Sequence, residues 1–154
     1  FSIILNDGEH ATQQFIKQFK QQFRQLNVEQ VSFPRGVSDV DKWTDRKTIY
    51  KKACPIHVRG ALMYNHLIDK HGLDRQYQMI NNGDKIKFCY LKMPNPSREN
   101  VISYPINLPR ELNLDKYVDY DKMYEKSFVE PIRNILDQLG WEVEPQTSLD
   151  SFFQ

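Results

Sequence analysis

The spacing of apolar residues changes along this chain, and the change limits the folds open to it. Three phenylalanines recur every four residues within residues 9–26, which predicts an amphipathic helix. Residues 85–92 alternate apolar and polar side chains instead, which is typical of a half-buried strand. A second helical pattern covers residues 119–139, the longest predicted helix. Both periods in one chain predict an α+β fold, with helices around a small antiparallel sheet.

Turn and capping residues divide the stretch between these patterns. Residues 56–71 form a predicted helix that ends at Gly72. Two more short strands are predicted over residues 77–80 and Val101–Tyr104, and Asn82-Gly83 marks a turn between strands. We expect residues 31–55, which are rich in proline and charge, to form a long loop with short turns. Pro131 should kink the last helix or mark its restart.

The composition excludes several classes of protein. No apolar run approaches the ~20 residues of a membrane helix, and no signal peptide is predicted at the start. The two cysteines, Cys54 and Cys89, form no CxxC pair, so we predict reduced thiols in a cytosolic protein and no structural zinc. The first residue is not Met, so we interpret the chain as a fragment of a longer one.

No arrangement of side chains predicts catalysis. The paired carboxylates of Asp39 with Asp41, and of Asp119 with Asp121, resemble those of two-metal sites. The first pair lies in a polar loop and the second at a helix start, where acids stabilise the helix dipole. His57 follows Cys54 by three residues but matches no nucleophile motif. We therefore predict no catalytic residue and no metal site.

Charge is distributed unevenly along the chain, despite a net charge of +1. Residues 31–60 carry seven Lys/Arg against three acids, residues 61–103 six against four, and residues 104–154 five against ten. This asymmetry suits a protein that contacts a polyanion on one side. Charges that simply interleave in the fold are an equal alternative.

The last residues form the sharpest local motif, with the pattern Q-x-x-L-x-x-F-F. One helical turn would place Leu149, Phe152 and Phe153 on a common face. Such an apolar plug enters the groove of a DNA sliding clamp, and Gln146 would supply an amide at its rim. The alternative is a terminus that packs its phenylalanines into its own core.

Basic residues flank the start of the helix over residues 56–71. A helix N-terminus attracts phosphate, and nearby cations reinforce that attraction. The residues concerned are Lys51, Lys52, His57 and Arg59. Gly60 would let a backbone approach closely. A solvated basic loop explains the same pattern equally well.

Several ordered blocks then carry a resemblance to a known family. They are FKQQFRQL, VSFPRGV, CPIHVRGALMYN, GDKIKFCYLKMPNP, DYDKMYEKSFVEPI and SLDSFF. In that order they resemble the C-terminal thumb region of T4-like and related marine phage family B DNA polymerases, over nearly the whole chain. The resemblance implies a thumb domain over residues 1–142 and a flexible clamp-binding tail over residues 143–154.

The family implies a function without catalysis for this piece. Its thumb holds the backbone phosphates of primer–template duplex without base readout. The duplex contacts implied here are Lys51, Lys52, His57, Arg59 and Tyr64, then Arg35 and Lys42, and also Lys85 and Lys87 on the sheet. The tail implies a tether to the sliding clamp, which raises processivity through effective concentration.

The catalytic sequence blocks of the family are absent from this chain. The acids of the family's palm and exonuclease domains do not occur here, so the fragment needs no cofactor, and Mg²⁺ would belong to the absent palm. The expected partners are primer–template DNA, the sliding clamp and the palm/exonuclease part of the polymerase, in the host cytoplasm and not at a membrane. A clamp-associated adaptor without DNA binding is the alternative, and an unrelated enzyme is a third hypothesis.

Overall fold

The computed structural model describes residues 8–144 and divides the chain into two compact units. One comprises Asn27–Met123, and the other combines the first helix with the chain after Met123. The helices and strands are α1 (Gly8–Phe23), α2 (Val28–Val31), β1 (Phe33–Gly36), α3 (Val40–Trp43), β2 (Thr44–Asp45), β3 (Ile49–Tyr50), α4 (Ile56–Lys70), β4 (Lys85–Tyr90), β5 (Val101–Tyr104), α5 (Tyr120–Tyr124) and α6 (Glu130–Gln138). A π-helical segment, Glu125–Val129, lies between α5 and α6.

The central unit is built on a three-stranded antiparallel sheet in the order β1-β4-β5. Helix α4 packs on β5, and α2 contacts β4. The predicted α+β fold with a small antiparallel sheet is confirmed. Strand β5 is buried at all four positions, so the sheet provides the core of this unit.

The predicted alternation along β4 is wrong at Cys89. Ile86 and Phe88 are buried as expected, but Cys89 is buried as well. On its face of the sheet, Tyr104 of β5 donates a hydrogen bond to Ser32 Oγ (2.6 Å). Because elements cover both faces of the sheet, the alternate residues are buried too. Burial raises the pKa of the Cys89 thiol to about 12.

The predicted strand over residues 77–80 does not form. Side chains of α4 bind this segment instead of a neighbouring strand. Asn65 accepts a hydrogen bond from the amide of Ile80 (2.8 Å) and donates one to its carbonyl (2.9 Å). Tyr64 donates its hydroxyl proton to the carbonyl of Gln78 (2.9 Å). The carbonyl of Gln78 and both backbone groups of Ile80 therefore find partners without a strand ladder.

The predicted loop over residues 31–55 contains regular structure. It includes β1, the short helix α3 and the hairpin β2–β3, in which Thr44 pairs with Tyr50 and Asp45 with Ile49. The turn at Asn82-Gly83 is confirmed, with Gly83 at φ +84°. The amide of Gly83 donates to the carbonyl of Val37 (2.7 Å) and so joins the turn to the end of β1.

The second unit rests on aromatic packing. In α1, Phe19 contacts the rings of Phe128 (4.7 Å between centroids) and Tyr124 (5.9 Å). The Tyr124 hydroxyl donates to the carbonyl of Ile16 (2.7 Å). The single helix predicted over residues 119–139 is divided into α5, the π-helical segment and α6, and Pro131 lies in the first turn of α6. Pro131 thus marks a restart, because proline lacks the N–H that a helix interior requires.

Candidate nucleic-acid interface

The start of α4 brings the predicted basic residues to the protein surface. Lys51 and Lys52 are both exposed and precede the N-cap residue Pro55, which provides no side-chain cap. The two lysines line a hollow of about 420 Å³ together with hairpin residues. Cations beside the positive end of a helix form a favourable place for a phosphate group.

The acidic residue in this hollow is committed to the hairpin turn. Asp45 accepts hydrogen bonds from the backbone amides of Lys47 (2.8 Å) and Thr48 (3.0 Å). These bonds, led by that of Thr48, lower the pKa of the Asp45 carboxyl. Neither Lys51 nor Lys52 has an ion-pair partner within residues 8–144. The charge of Lys51 also helps to lower the pKa of Asp45, but without an ion pair both lysines can still offer charge to a ligand.

Arg59 has a different environment from the two lysines. Its Nε lies 3.5 Å from Glu99 Oε1, and its Nη2 donates to Asn100 Oδ1 (2.9 Å). The guanidinium also lies over the ring of Tyr50, 5.8 Å from the centroid. Nε is buried and has no hydrogen-bond partner within the described part of the chain, although its distance to Glu99 is that of an ion pair. Glu99 thus balances most of the Arg59 charge.

His57 and Arg35 form a second group around Phe88. The Arg35 guanidinium lies 5.6 Å from the Phe88 ring centroid, and the His57 ring lies 6.4 Å from it. Burial, and then the nearby Arg35 charge, lower the pKa of His57. His57 is therefore neutral at pH 7, and Arg35 supplies the charge of this group.

The sheet separates Lys85 and Lys87 from Arg35. Arg35 pairs with Ile86, so its side chain lies on the face of Ile86 and Phe88, and the two lysines lie on the other face. Lys87 Nζ donates to the carbonyl of Glu29 (3.0 Å), whereas Lys85 is exposed. A single flat surface cannot contact all of these cations.

The other predicted contacts differ in their surroundings. Lys42 is exposed, and its Nζ lies 5.1 Å from the ring centroid of Trp43. Tyr64 is only 1% exposed, so its side chain presents no surface to a duplex. The backbone that approaches Gly60 is that of β5, because a Cβ there would lie 2.8 Å from the amide nitrogen of Ser103. Both residues serve the packing of α4.

The predicted clamp-binding residues lie outside the described residues. They are Gln146, Leu149, Phe152 and Phe153.

Sequence reasoning missed the residues that hold Arg59 and the hairpin. The Tyr50 hydroxyl donates to Glu99 Oε2 (2.5 Å), which raises the pKa of Tyr50. Glu99 and Asn100 lie about 40 positions after Arg59, and no local pattern in the sequence links them. Only the pairing of β4 with β5 brings the segment before β5 to the hairpin.

Between residues 8 and 144, no group of three or more His, Cys, Asp or Glu side chains is placed to hold a metal ion. Within the same span, no helix is long and apolar enough to cross a membrane. Burial raises the pKa of Cys54, as it does that of Cys89, so both thiols are protonated at neutral pH.

Comparison with known proteins shows similarity to two phage DNA polymerases. It is 30% identical to the DNA-directed DNA polymerase of Enterobacteria phage T4 over 97% of its length. It is 28% identical, over the same share, to the DNA-directed DNA polymerase of Escherichia phage RB69. The chain spans 17% of the length of these relatives. No protein-family model matches it. The predicted resemblance to phage DNA polymerases is confirmed.

Proposed function

We propose that this chain is the thumb part of a replicative family B DNA polymerase, which holds primer–template duplex behind the active site and tethers the enzyme to a sliding clamp. The observation that carries this proposal is the match along 97% of the chain to one part of two phage DNA polymerases. The exposed lysines before α4, which form no ion pair with any residue from 8 to 144, supply the corresponding chemistry.

The grip on DNA is electrostatic. Lys51 and Lys52 each neutralise a backbone phosphate and release counterions, which requires no contact with a base. Arg35 and Lys42 are exposed and extend the positive surface, whereas Arg59 acts as a positioning residue. By pairing with Glu99 and stacking on Tyr50, Arg59 holds the hairpin beside the first turn of α4. A replicative enzyme needs such sequence-independent holding.

The tail supplies the second partner. The motif Q-x-x-L-x-x-F-F supports this part of the proposal: Leu149, Phe152 and Phe153 would fill a groove of the clamp, and Gln146 would bind at its rim. Because the tether acts through effective concentration, it prolongs synthesis without strengthening the contact with DNA.

Nucleotide transfer belongs to the rest of the polymerase. We expect the chain alone to be inactive, since the resemblance places the metal-binding acids in the palm and exonuclease domains. The palm/exonuclease part of the enzyme would supply that metal site, and the assembly would work in the cytoplasm of the infected host.

Binding of labelled primer–template duplex across a salt series tests the grip. The variant Lys51→Ala/Lys52→Ala should weaken binding and lower the slope of log K against log salt by about 2, or ~0.9 for each lost phosphate contact. Lys51→Arg/Lys52→Arg keeps both charges and should retain the slope. If the wild-type chain does not bind duplex at low salt, the grip is refuted.

Binding to the sliding clamp of the same replication system tests the tail separately. Leu149→Ala/Phe152→Ala should abolish clamp binding in calorimetry and leave the affinity for duplex unchanged. Clamp binding without duplex binding would establish the adaptor alternative. Clamp binding that survives the double substitution would refute the tail's role.

A further inference from the structure

A second basic cleft borders the hairpin and shares Thr48 and Tyr50 with the hollow that Lys51 and Lys52 line. It has a volume of about 480 Å³, and strand β3 with Thr48 forms one wall. The cleft contains three basic side chains, His66, Lys70 and Arg98, all of them exposed. None of the three belongs to the basic cluster that the sequence predicted.

The charge of this cleft is positive. Among the described residues that line it, Glu99 is the only acid, and Arg59 and the hydroxyl of Tyr50 already engage it. Lys70 and Arg98 have no ion-pair partner in the described part of the chain. Two cations are therefore available to an anion in this cleft.

The wall that carries Arg98 is held rigidly. Asn95 is 8% exposed, and its side-chain amide donates to the carbonyls of Lys92 (2.9 Å) and Glu99 (2.8 Å). Its Oδ1 accepts hydrogen bonds from the amide (2.9 Å) and the hydroxyl of Ser97. The amide of Arg98 itself donates to the carbonyl of Asn95 (3.1 Å). Arg98 thus stands on a preorganised loop, which lowers the entropic cost of binding.

Two residues that line the cleft have strained backbones. Ile49 has φ +74° and Arg98 has φ +61°. Positive φ is rare for residues other than glycine and most costly for β-branched ones such as isoleucine. Such strain persists where the surrounding contacts impose it, and it concentrates at binding sites. Opposing walls of this cleft each contain one such residue.

We infer that this cleft, through Lys70 and Arg98, binds a second stretch of DNA backbone phosphates, so that the β2–β3 hairpin borders two phosphate-binding hollows. The inference rests on the proposed grip on duplex and names a further part of its surface. Tyr50 and Thr48 line both hollows, so the two sites share the hairpin as a common wall. A duplex seated over the hairpin would contact Lys51 and Lys52 in one hollow and Lys70 and Arg98 in the other.

The test uses the 154-residue chain and labelled primer–template duplex in a salt series. The variant Lys70→Ala/Arg98→Asn removes both charges, and asparagine tolerates the left-handed backbone at position 98. We expect an affinity loss of roughly tenfold at low salt and a slope lower by about 2. Lys70→Arg/Arg98→Lys should keep the slope. Lys17→Ala/Lys116→Ala removes two exposed charges elsewhere and should change the affinity less than about twofold.

The outcomes separate the two proposals. If Lys51→Ala/Lys52→Ala weakens binding while Lys70→Ala/Arg98→Asn behaves like the Lys17/Lys116 control, the second site is overturned and the grip stands. If wild type does not bind duplex, both are overturned. Amide shifts of residues 96–99 in NMR distinguish the ligand's source. They should move with duplex and not with inorganic phosphate at equal phosphate concentration, and equal shifts with both would identify a site for free anions instead.

Discussion

The contact between α4 and β5 permits a quantitative test at Gly60. A Cβ added at this position would lie 2.5 Å from Ser103 Oγ, 2.8 Å from Ser103 N and 3.0 Å from the carbonyl carbon of Ile102. Two of these atoms belong to the backbone of a fully buried strand, which cannot rotate away as a side chain can. We therefore expect Gly60→Ala to force α4 and β5 apart.

The magnitude follows from three contributions. Overpacking a core typically costs 1–3 kcal/mol, so we take about 2 kcal/mol for the displaced strand. The hydrogen bond from Ser103 Oγ to the carbonyl of His57 (2.8 Å) would be lost, at about 1 kcal/mol. Alanine is favoured over glycine inside a helix by about 1 kcal/mol. The free energy of unfolding should therefore fall by about 2 kcal/mol.

Urea unfolding followed by circular dichroism measures this change. Gly36→Ala is the matched control, because no atom lies within 4 Å of a Cβ there and its φ is not in the left-handed region. Its effect should stay within about 0.5 kcal/mol. Adding Ser103→Ala to Gly60→Ala removes the hydroxyl but not the backbone clash, so only part of the stability should return. A Gly60→Ala protein more stable than wild type would refute the reasoning, since helix propensity alone would then decide.

Two further predictions concern α4. Asn65→Ala should lower the free energy of unfolding by about 2–3 kcal/mol, because it leaves the amide and carbonyl of Ile80 without their partner. Urea unfolding measures this change, and a loss below about 0.5 kcal/mol, which is typical of a surface site, would contradict the prediction. The pKa of His57 is lowered in the folded chain, so the unfolded chain binds more protons at acidic pH. The free energy of unfolding should therefore fall as the pH drops below 6.5 and through that lowered pKa. His57→Gln should reduce this acid sensitivity in urea unfolding between pH 7.5 and pH 5, and an unchanged pH profile would count against it.

The sequence located much of the candidate site, but it could not show which of the basic residues keep their charge available to a ligand. The run of basic residues before α4 predicted a positive surface, and Lys51 and Lys52 are indeed exposed there. The same run also contains Arg59, whose charge Glu99 largely balances. Nothing local distinguishes these residues, because the difference depends on a carboxylate that only the fold brings near.

The amino-acid sequence by itself determined the local elements. Helical and alternating periods predicted α1, α4, β4 and β5, and Gly72 and Asn82-Gly83 marked a helix end and a turn. These signals suffice because each element's hydrogen bonds and buried stripe depend on residues a few positions apart.

Tertiary structure alone decided which partner each residue finds. It covered the second face of the sheet and so buried Cys89. In residues 77–80, the backbone of Ile80 hydrogen-bonds to the side chain of Asn65 and not to a neighbouring strand. Tertiary structure also brought Arg98 and Lys70 into one cleft beside the hairpin. Burial and charge compensation depend on contacts between segments that are far apart in the chain. Periodicity shows only that one face of a helix or strand is apolar, and it does not show what covers the opposite face.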